Sequence, residues 1–287
     1  MAKRLWFGPA GKPISMKKGK MEDVPAFLRS IGLDALEYEA VRGVRISEAK
    51  ARLLGERAEE NGVILSLHAP YYINLASKDE EKREASIRRI IDSMKAAEWM
   101  GAYAVVIHTG YYKGYSDRRE ALETAIKGYE EVLNRLPSWV KKPDLSPEVM
   151  GRKQAIGDVD EVIEICRRLG RRCRPTIDWA HLYARYEGKF VTSVDQVISV
   201  IEKFEKELGS RSVKPLHTHF SKIEYGPGGE REHHTLSEEG YGPEWDIVCR
   251  AYLETGIHAV IISESPILEK DAILMRDHCK SLDPSVV

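Results

Sequence analysis

Short apolar runs that end on a polar residue recur along the chain at intervals of about 25–40 residues. Each reads as a buried parallel strand running out into a loop. The run 103–107 leads into His108-Thr109-Gly110, and 63–67 leads into His68-Ala69-Pro70-Tyr71. Further on, 175–177 leads into Asp178-Trp179-Ala180-His181, 215–216 into His217-Thr218-His219, and 260–263 into Glu264-Ser265-Pro266. Five strand ends thus deliver a His, Asp or Glu. Residues 4–8 and the weaker run 36–39 read as two more strands, and a short strand is expected within 145–151.

Helical periodicity fills the intervals. It predicts helices over 21–32, 47–60, 80–100, 116–136, 158–169, 244–255 and a last one after Pro266. Asn61-Gly62 and Gly101 supply stop signals. Ile87, Ile90, Ile91, Met94 and Ala97 form one apolar stripe, and Val194, Val197, Ile198, Ile201, Phe204 and Leu208 form another. Ser193 with Gln196 three residues on is a capping-box signature. The stretch 221–243 reads as a long Gly-rich loop carrying Glu230, Glu232, His233 and His234, and loops of that length are usually functional or mobile. About eight strand–helix alternations with no linker between them predict one α/β domain over 1–287, a (β/α)8 TIM barrel. In that fold the loops after the strands build the active site, and the polar strand ends all fall there.

Composition narrows this picture without redirecting it. A chain of 287 residues with 43% hydrophobic content can bury a large core. The net charge of −1 excludes a global field that would attract nucleic acid, so such a partner would need a local basic patch. No early segment reads as a transmembrane helix or signal peptide, so no membrane partner is expected. Cys166, Cys173, Cys249 and Cys279 show no C-x-x-C spacing and are expected as reduced thiols in a cytoplasmic protein. Only three Asn and two Gln stand beside 31% charged residues, a composition that fits a heat-adapted (thermophile) source.

The candidate chemistry lies in His68, His108, Glu148, Asp178, His181, His217, His233 and Glu264. Mixed imidazole and carboxylate donors suit zinc, or less selectively manganese or iron. The set exceeds what one tetrahedral ion needs, which implies two or three ions sharing a bridging carboxylate. Such ions activate water and clamp both oxygens of a phosphoryl group, so phosphodiester hydrolysis follows most directly. Taken singly, each residue has an ordinary role: Asp178 as a helix cap, Glu148 as a solvated loop carboxylate, Glu264 as a salt-bridge partner. His258 and His278 lie outside strand ends and are assigned to structure. His219 and His234 stay undecided beside His217 and His233.

At these residues the ordered motifs become familiar. His68-Ala69-Pro70-Tyr71-Tyr72-Ile73-Asn74-Leu75, Ile107-His108-Thr109-Gly110, Pro147-Glu148-Val149-Met150-Gly151, Ile177-Asp178-Trp179-Ala180-His181 and His233-His234-Thr235-Leu236 together resemble the endonuclease IV family, over roughly residues 60–266. The resemblance implies a zinc-dependent (β/α)8 barrel, related to the xylose isomerase-like barrels, that cleaves DNA 5′ to abasic sites in base excision repair. It implies that His68, His108 and Glu148 hold one zinc and that Glu148 bridges to a second held by Asp178, His217 and Glu264. His181 and His233 would hold a third. The family usually carries an aspartate two residues before the histidine matching His233; here that residue is Arg231, and Glu230 or Glu232 would have to substitute with the loop shifted. The loop 39–45 lacks the polar and aromatic pattern with which such enzymes enter DNA. Arg42, Arg45, Tyr71 and Tyr72 would line a DNA groove, unless they serve surface and core packing.

The expectation is therefore a monomeric, cytoplasmic, zinc-dependent hydrolase, an endonuclease acting on damaged double-stranded DNA. Its rival is a divalent-metal sugar isomerase or epimerase on the same barrel, with Glu148 and Glu264 as the carboxylate pair. A non-enzymatic metal-binding module would show closed four-ligand sites with no position left for water.

Overall fold

The computed structural model describes residues 4–286. In chain order its strands are β1 (Leu5–Pro9), β2 (Ala35–Glu39), β3 (Ile64–His68), β4 (Ala104–Ile107), β5 (Gly110–Tyr111), β6 (Asp144–Pro147), β7 (Ala155–Ile156), β8 (Thr176–Asp178), β9 (Leu216–Phe220), β10 (Lys222–Gly226), β11 (Gly229–His234) and β12 (Ala259–Ser263). Its α-helices are α1 (Val24–Ser30), α2 (Glu48–Glu60), α3 (Glu80–Met100), α4 (Arg118–Arg135), α5 (Val159–Leu169), α6 (Trp179–Arg185), α7 (Val194–Leu208), α8 (Trp245–Thr255) and α9 (Glu269–Leu282). Eight strands form two parallel sheets, ordered β1-β12-β9-β8 and β2-β3-β4-β6. Bridges from Ala10 to Glu37 and from Glu148 to Thr176 join the two sheets into a closed barrel.

The helices start and stop where their sequences dictate. Ser47 and Asp79 cap α2 and α3 by accepting the Lys50 and Lys82 amides, and Gly101 ends α3 in the left-handed region at φ 69°. Asp158 and Glu161 form a complete capping box on α5. The Ser193 box on α7 is half made: Ser193 accepts from Gln196 N, but the Gln196 side chain reaches Thr192 N instead.

A large apolar cluster lies between the strands and the helices, and a small separate one contains Ala35, Val260 and Ile262 with Trp6, Ile64 and Tyr103 packed on it. Alternation along the strands puts that small cluster inside the barrel. The same alternation lines the interior nearer the carboxyl ends with the buried polar residues Glu37, Ser66, His68, His217 and His219. Apolar floor and polar rim therefore lie on one set of inward positions. At the closure, a methyl on Gly8 would overlap the Ala35 carbonyl. Gly8→Ala is expected to cost about 3 kcal/mol, because backbone and not a flexible side chain would have to move; urea unfolding checks it.

Two expectations are corrected. The stretch 221–243 is not a structureless loop: β10 and β11 pair there as an antiparallel hairpin with a bulge between Glu224 and Tyr225. Both strands are mostly polar, so no burial contrast marks them in the sequence. The cysteines are not reduced thiols: Cys166 pairs with Cys173 and Cys249 with Cys279. The second pair is 30 residues apart and is brought to a Cα separation of 5.9 Å by α8 packing on α9, which no local spacing reveals.

Candidate metal centre

Each strand end delivers its polar residue to one rim. His68 closes β3, His108 follows β4, Glu148 follows β6, Asp178 closes β8 and Glu264 follows β12. His181 sits one turn into α6, whose start is fixed by Asp178 Oδ1 accepting from His181 N at 2.7 Å.

Glu148 is the hub. Its fully buried carboxylate lies 2.9 Å from His108 Nε2 and 3.5 Å from His68 Nε2 through one oxygen. Through the other it lies 3.2 Å from both His181 Nδ1 and His219 Nδ1. His219 Nδ1 is also 3.1 Å from Glu264 and 4.0 Å from Asp178. On the far side His181 Nε2 is 3.3 Å from Glu230, and His233 Nε2 is 3.9 Å from Glu264. Three overlapping groups result, with donor atoms within 4.8 Å of one another: His68, His108 and Glu148; Glu148, Asp178, His181 and Glu264; His181, His233 and Glu264.

The imidazoles are held from behind. His68 Nδ1 bonds Ala69 O at 2.8 Å, His181 Nδ1 bonds Val149 O at 3.1 Å, and His233 Nδ1 meets Ser221 Oγ at 2.6 Å. In His68 and His233 the other nitrogen is left to face the cluster, the usual arrangement for a metal-binding histidine, whereas His181 meets Glu148 through the same Nδ1 and turns Nε2 to Glu230. Buried His68 Nε2, Glu148 Oε2, Asp178 Oδ2 and Glu230 Oε2 have no hydrogen-bond partner. Converging lone pairs without donors are costly unless a cation lies among them, so the residues present fit divalent ions.

Electrostatics point the same way. Burial pushes Glu148 up, but His108 and His219 overcome it and hold the carboxyl well below its ordinary range. Burial likewise acts to raise Glu264, and His219 brings it down to about 2. Asp178 is raised by burial, with Glu264 and Glu148 reinforcing the rise against the pull of His181. Burial also raises Glu39, at the end of β2, to about 8.

His217 is placed apart from the rim groups, in a deeper donor group with Glu37 and His219. Its ring is not at the rim: Nε2 lies 2.9 Å from Glu37, and Nδ1 meets the Tyr103 hydroxyl at 2.5 Å. His219 reaches Glu148, Asp178 and Glu264 instead. Both histidines point inward by the period-two rule, and His219 is one layer nearer the carboxyl end. Between the two glutamates, Glu230 is brought to His181, whereas Glu232 faces Glu224 and His234. The bulge explains the choice. Glu224 pairs with Glu232 but Tyr225 with Glu230, so Arg231 is the extra residue and Glu230 recovers the face of His233. Glu230→Gln is accordingly expected to lower metal occupancy beside His181 and to cut activity by about 10–100-fold, with Glu232→Gln near wild type; metal counting on the two variants separates them.

Tyr71 joins the centre, its ring centroid 5.1 Å from that of His68 and 5.2 Å from that of His108. It lines a cavity of about 330 Å³ that also holds His181, Glu230 and His233, with Arg231 and, unmarked in the sequence, Arg152 as its cations. Tyr72 is exposed and faces the start of α3, and Arg42 and Arg45 flank Glu39 in a neighbouring surface pocket. His258 packs beside Trp6, and His278 binds Asp246. A larger cavity of about 520 Å³, between α2 and Trp99, contains none of these ligands.

A (β/α)8 barrel with imidazoles and carboxylates gathered at its carboxyl rim defines the class of a barrel enzyme with a candidate metal centre. The profile of the xylose isomerase-like TIM barrel family matches residues 25–282, and the chain belongs to that family. An uncharacterised protein of Methanocaldococcus jannaschii is 39% identical over 273 residues, covering 94% of this chain and 95% of the relative. A probable endonuclease 4 of Aquifex aeolicus is 29% identical over 180 residues, 61% of each chain, in keeping with the resemblance read from the motifs. Among solved structures, endonuclease IV from Thermus thermophilus superposes with a TM-score of 0.68 at 21% identity, covering 98% of this chain and 99% of the other. A D-tagatose 3-epimerase-like protein has the same TM-score at 20% identity, covering 89% and 90%. The fold is thus shared by nucleases and sugar epimerases.

Proposed function

We propose that this chain is a metal-dependent endonuclease that hydrolyses the DNA phosphodiester 5′ to abasic sites, using two or three zinc ions, with manganese as the alternative metal. The observation that carries the reading is the ligand surplus: Glu148 belongs to two overlapping donor groups, and a third forms around His181, His233 and Glu264. His68, His108 and Glu148 would hold one ion; Glu148, Asp178, His219 and Glu264 a second; His181, Glu230 and His233 a third. Bound there, such ions supply an activated water and neutralise charge on the attacking and leaving oxygens. The protein's own part is positioning. Glu148 fixes the spacing of the groups, and the cavity beside them offers Tyr71 for stacking and Arg152 and Arg231 for phosphate. Tyr72, which is exposed, and Arg42 and Arg45 would be the further contacts to duplex DNA.

A monomer in the cytoplasm is part of the proposal. No helix among the described residues is long and apolar enough to cross a membrane. Paired cysteines occur inside cells of hyperthermophiles, in keeping with the amide-poor composition. The second reading, a sugar epimerase, draws on one feature: Glu148 and Glu264 flank His219 as a carboxylate pair. A duplex with a single abasic site, incubated with and without chelator beside metal counting, tests the choice. Chelator-sensitive incision supports the nuclease; intact duplex with a metal-loaded protein that epimerises ketoses overturns it.

A further inference from the structure

Behind the rim, the barrel interior holds a polar chain that the reaction does not touch. Glu37, on β2, is fully buried. Its Oε2 accepts from Ser66 Oγ at 2.7 Å and lies 2.9 Å from His217 Nε2. Its Oε1 lies 2.9 Å from His219 Nε2, an ion-pair contact outside hydrogen-bond geometry. The chain ends at the Tyr103 hydroxyl, 2.5 Å from His217 Nδ1. We propose that Glu37 is a positioning residue of the metal centre: it fixes the tautomer and orientation of His219, so that the Nδ1 lone pair of that ring is presented to an ion shared with Glu148, Asp178 and Glu264.

A carboxylate only accepts, so each imidazole nitrogen facing Glu37 must carry a proton. His217 therefore bears its proton on Nε2, and its Nδ1 accepts from the Tyr103 O–H. Both nitrogens of His219 face carboxylates, Nε2 at 2.9 Å from Glu37 and Nδ1 at 3.2 Å and 3.1 Å from Glu148 and Glu264, so the metal-free ring holds a proton on each side, and an ion entering beside Glu148, Asp178 and Glu264 displaces the one on Nδ1. The convergence of Glu148, Glu264 and Asp178 on the Nδ1 side makes that side the position for a cation. His68, His181 and His233 are steadied by a backbone carbonyl or a serine. His219 is the ring held by a buried carboxylate, the partner type that most raises the basicity of a metal-binding imidazole. His217, assigned by sequence to the metal, belongs to this supporting chain.

The inference rests on the metal centre but not on the choice of substrate, and its test does not use DNA. E37Q places an amide NH₂ against one of the two rings and forces a tautomer change along the chain. Its apparent zinc affinity is expected to fall about 10–100-fold, with an altered visible spectrum of the cobalt-substituted protein. Y103F, which removes only the distant hydroxyl, is expected to fall less. A folded E37Q with wild-type zinc affinity and an unchanged cobalt spectrum overturns the proposal. Should E37Q fail to fold, ¹⁵N-histidine NMR of the zinc-loaded wild type decides: a proton on His219 Nε2 with Nδ1 metal-bound supports it, and the reverse assignment overturns it. Loss of zinc affinity in E37Q with no incision of abasic DNA by the wild type would leave this inference standing and remove only the nuclease reading.

Discussion

Glu148→Gln is expected to abolish hydrolysis, by at least about 10³-fold, and to strip metal from the rim while leaving the fold intact. The two oxygens of Glu148 face different pairs of imidazoles, His68 and His108 on one side and His181 and His219 on the other. An amide of the same shape presents NH₂ to one of those pairs, so one group of ligands loses its shared oxygen and meets a donor where a cation should sit. The backbone of Glu148 keeps its bond to Ile107 O and its bridge to Thr176, so closure of the barrel does not depend on the charge. Metal counting, incision kinetics and thermal unfolding of the chelated proteins test the three parts separately. Full activity in the variant would sink a mechanism in which Glu148 bridges two ions. Loss of activity through unfolding would show instead that the carboxylate holds the four rings together without metal.

How much of this was legible in the sequence follows from what each feature depends on. The strand–helix alternation is local, and the bounds of α3 coincide with the predicted 80–100. His68, His108, Glu148, Asp178, His181 and Glu264 are brought together because a strand end is a local signal and the barrel gathers all such ends at one rim. His217 and His219 are two residues apart on one inward face; which of them stands at the rim depends on the stagger of β9 against β8 and β12, a property of barrel closure. Glu230 prevails over Glu232 through a bulge that pairing creates and composition does not announce. Glu37 sits in a weak apolar run, and its burial beside two histidines arises only when β2 closes against β1 across the barrel seam. The disulfides depend on helix packing in the same way. Local periodicity therefore located the rim, while depth along the barrel axis had to come from tertiary structure.

Removing the metal should make the protein's stability and metal affinity depend on pH in opposite directions. In the metal-free chain, burial works to lower His68, but Glu39 and Glu148 override it and raise the ring to about 10; His181 and His219 are raised well above the ordinary histidine value for similar reasons. A base raised on folding binds its proton more tightly in the folded state. Its stabilisation is fully present below the unfolded value of about 6.5 and is lost as pH rises through the folded one. Chelated protein should therefore lose melting temperature steadily between about pH 6.5 and 10. An ion must displace those same protons, so apparent affinity should climb about tenfold per pH unit for each proton released. At a thousandfold excess over its dissociation constant an ion adds about 4 kcal/mol, which for a chain of this size raises the melting temperature by about 10 °C. Calorimetric titration in two buffers of different ionisation enthalpy measures the released protons, and scanning calorimetry with zinc or chelator across the pH range measures the stability. Zinc affinity that is flat between pH 6 and 8, or melting curves indifferent to chelator, would mean that these histidines face one another and their carboxylates as a closed ionic cluster and not as ligands.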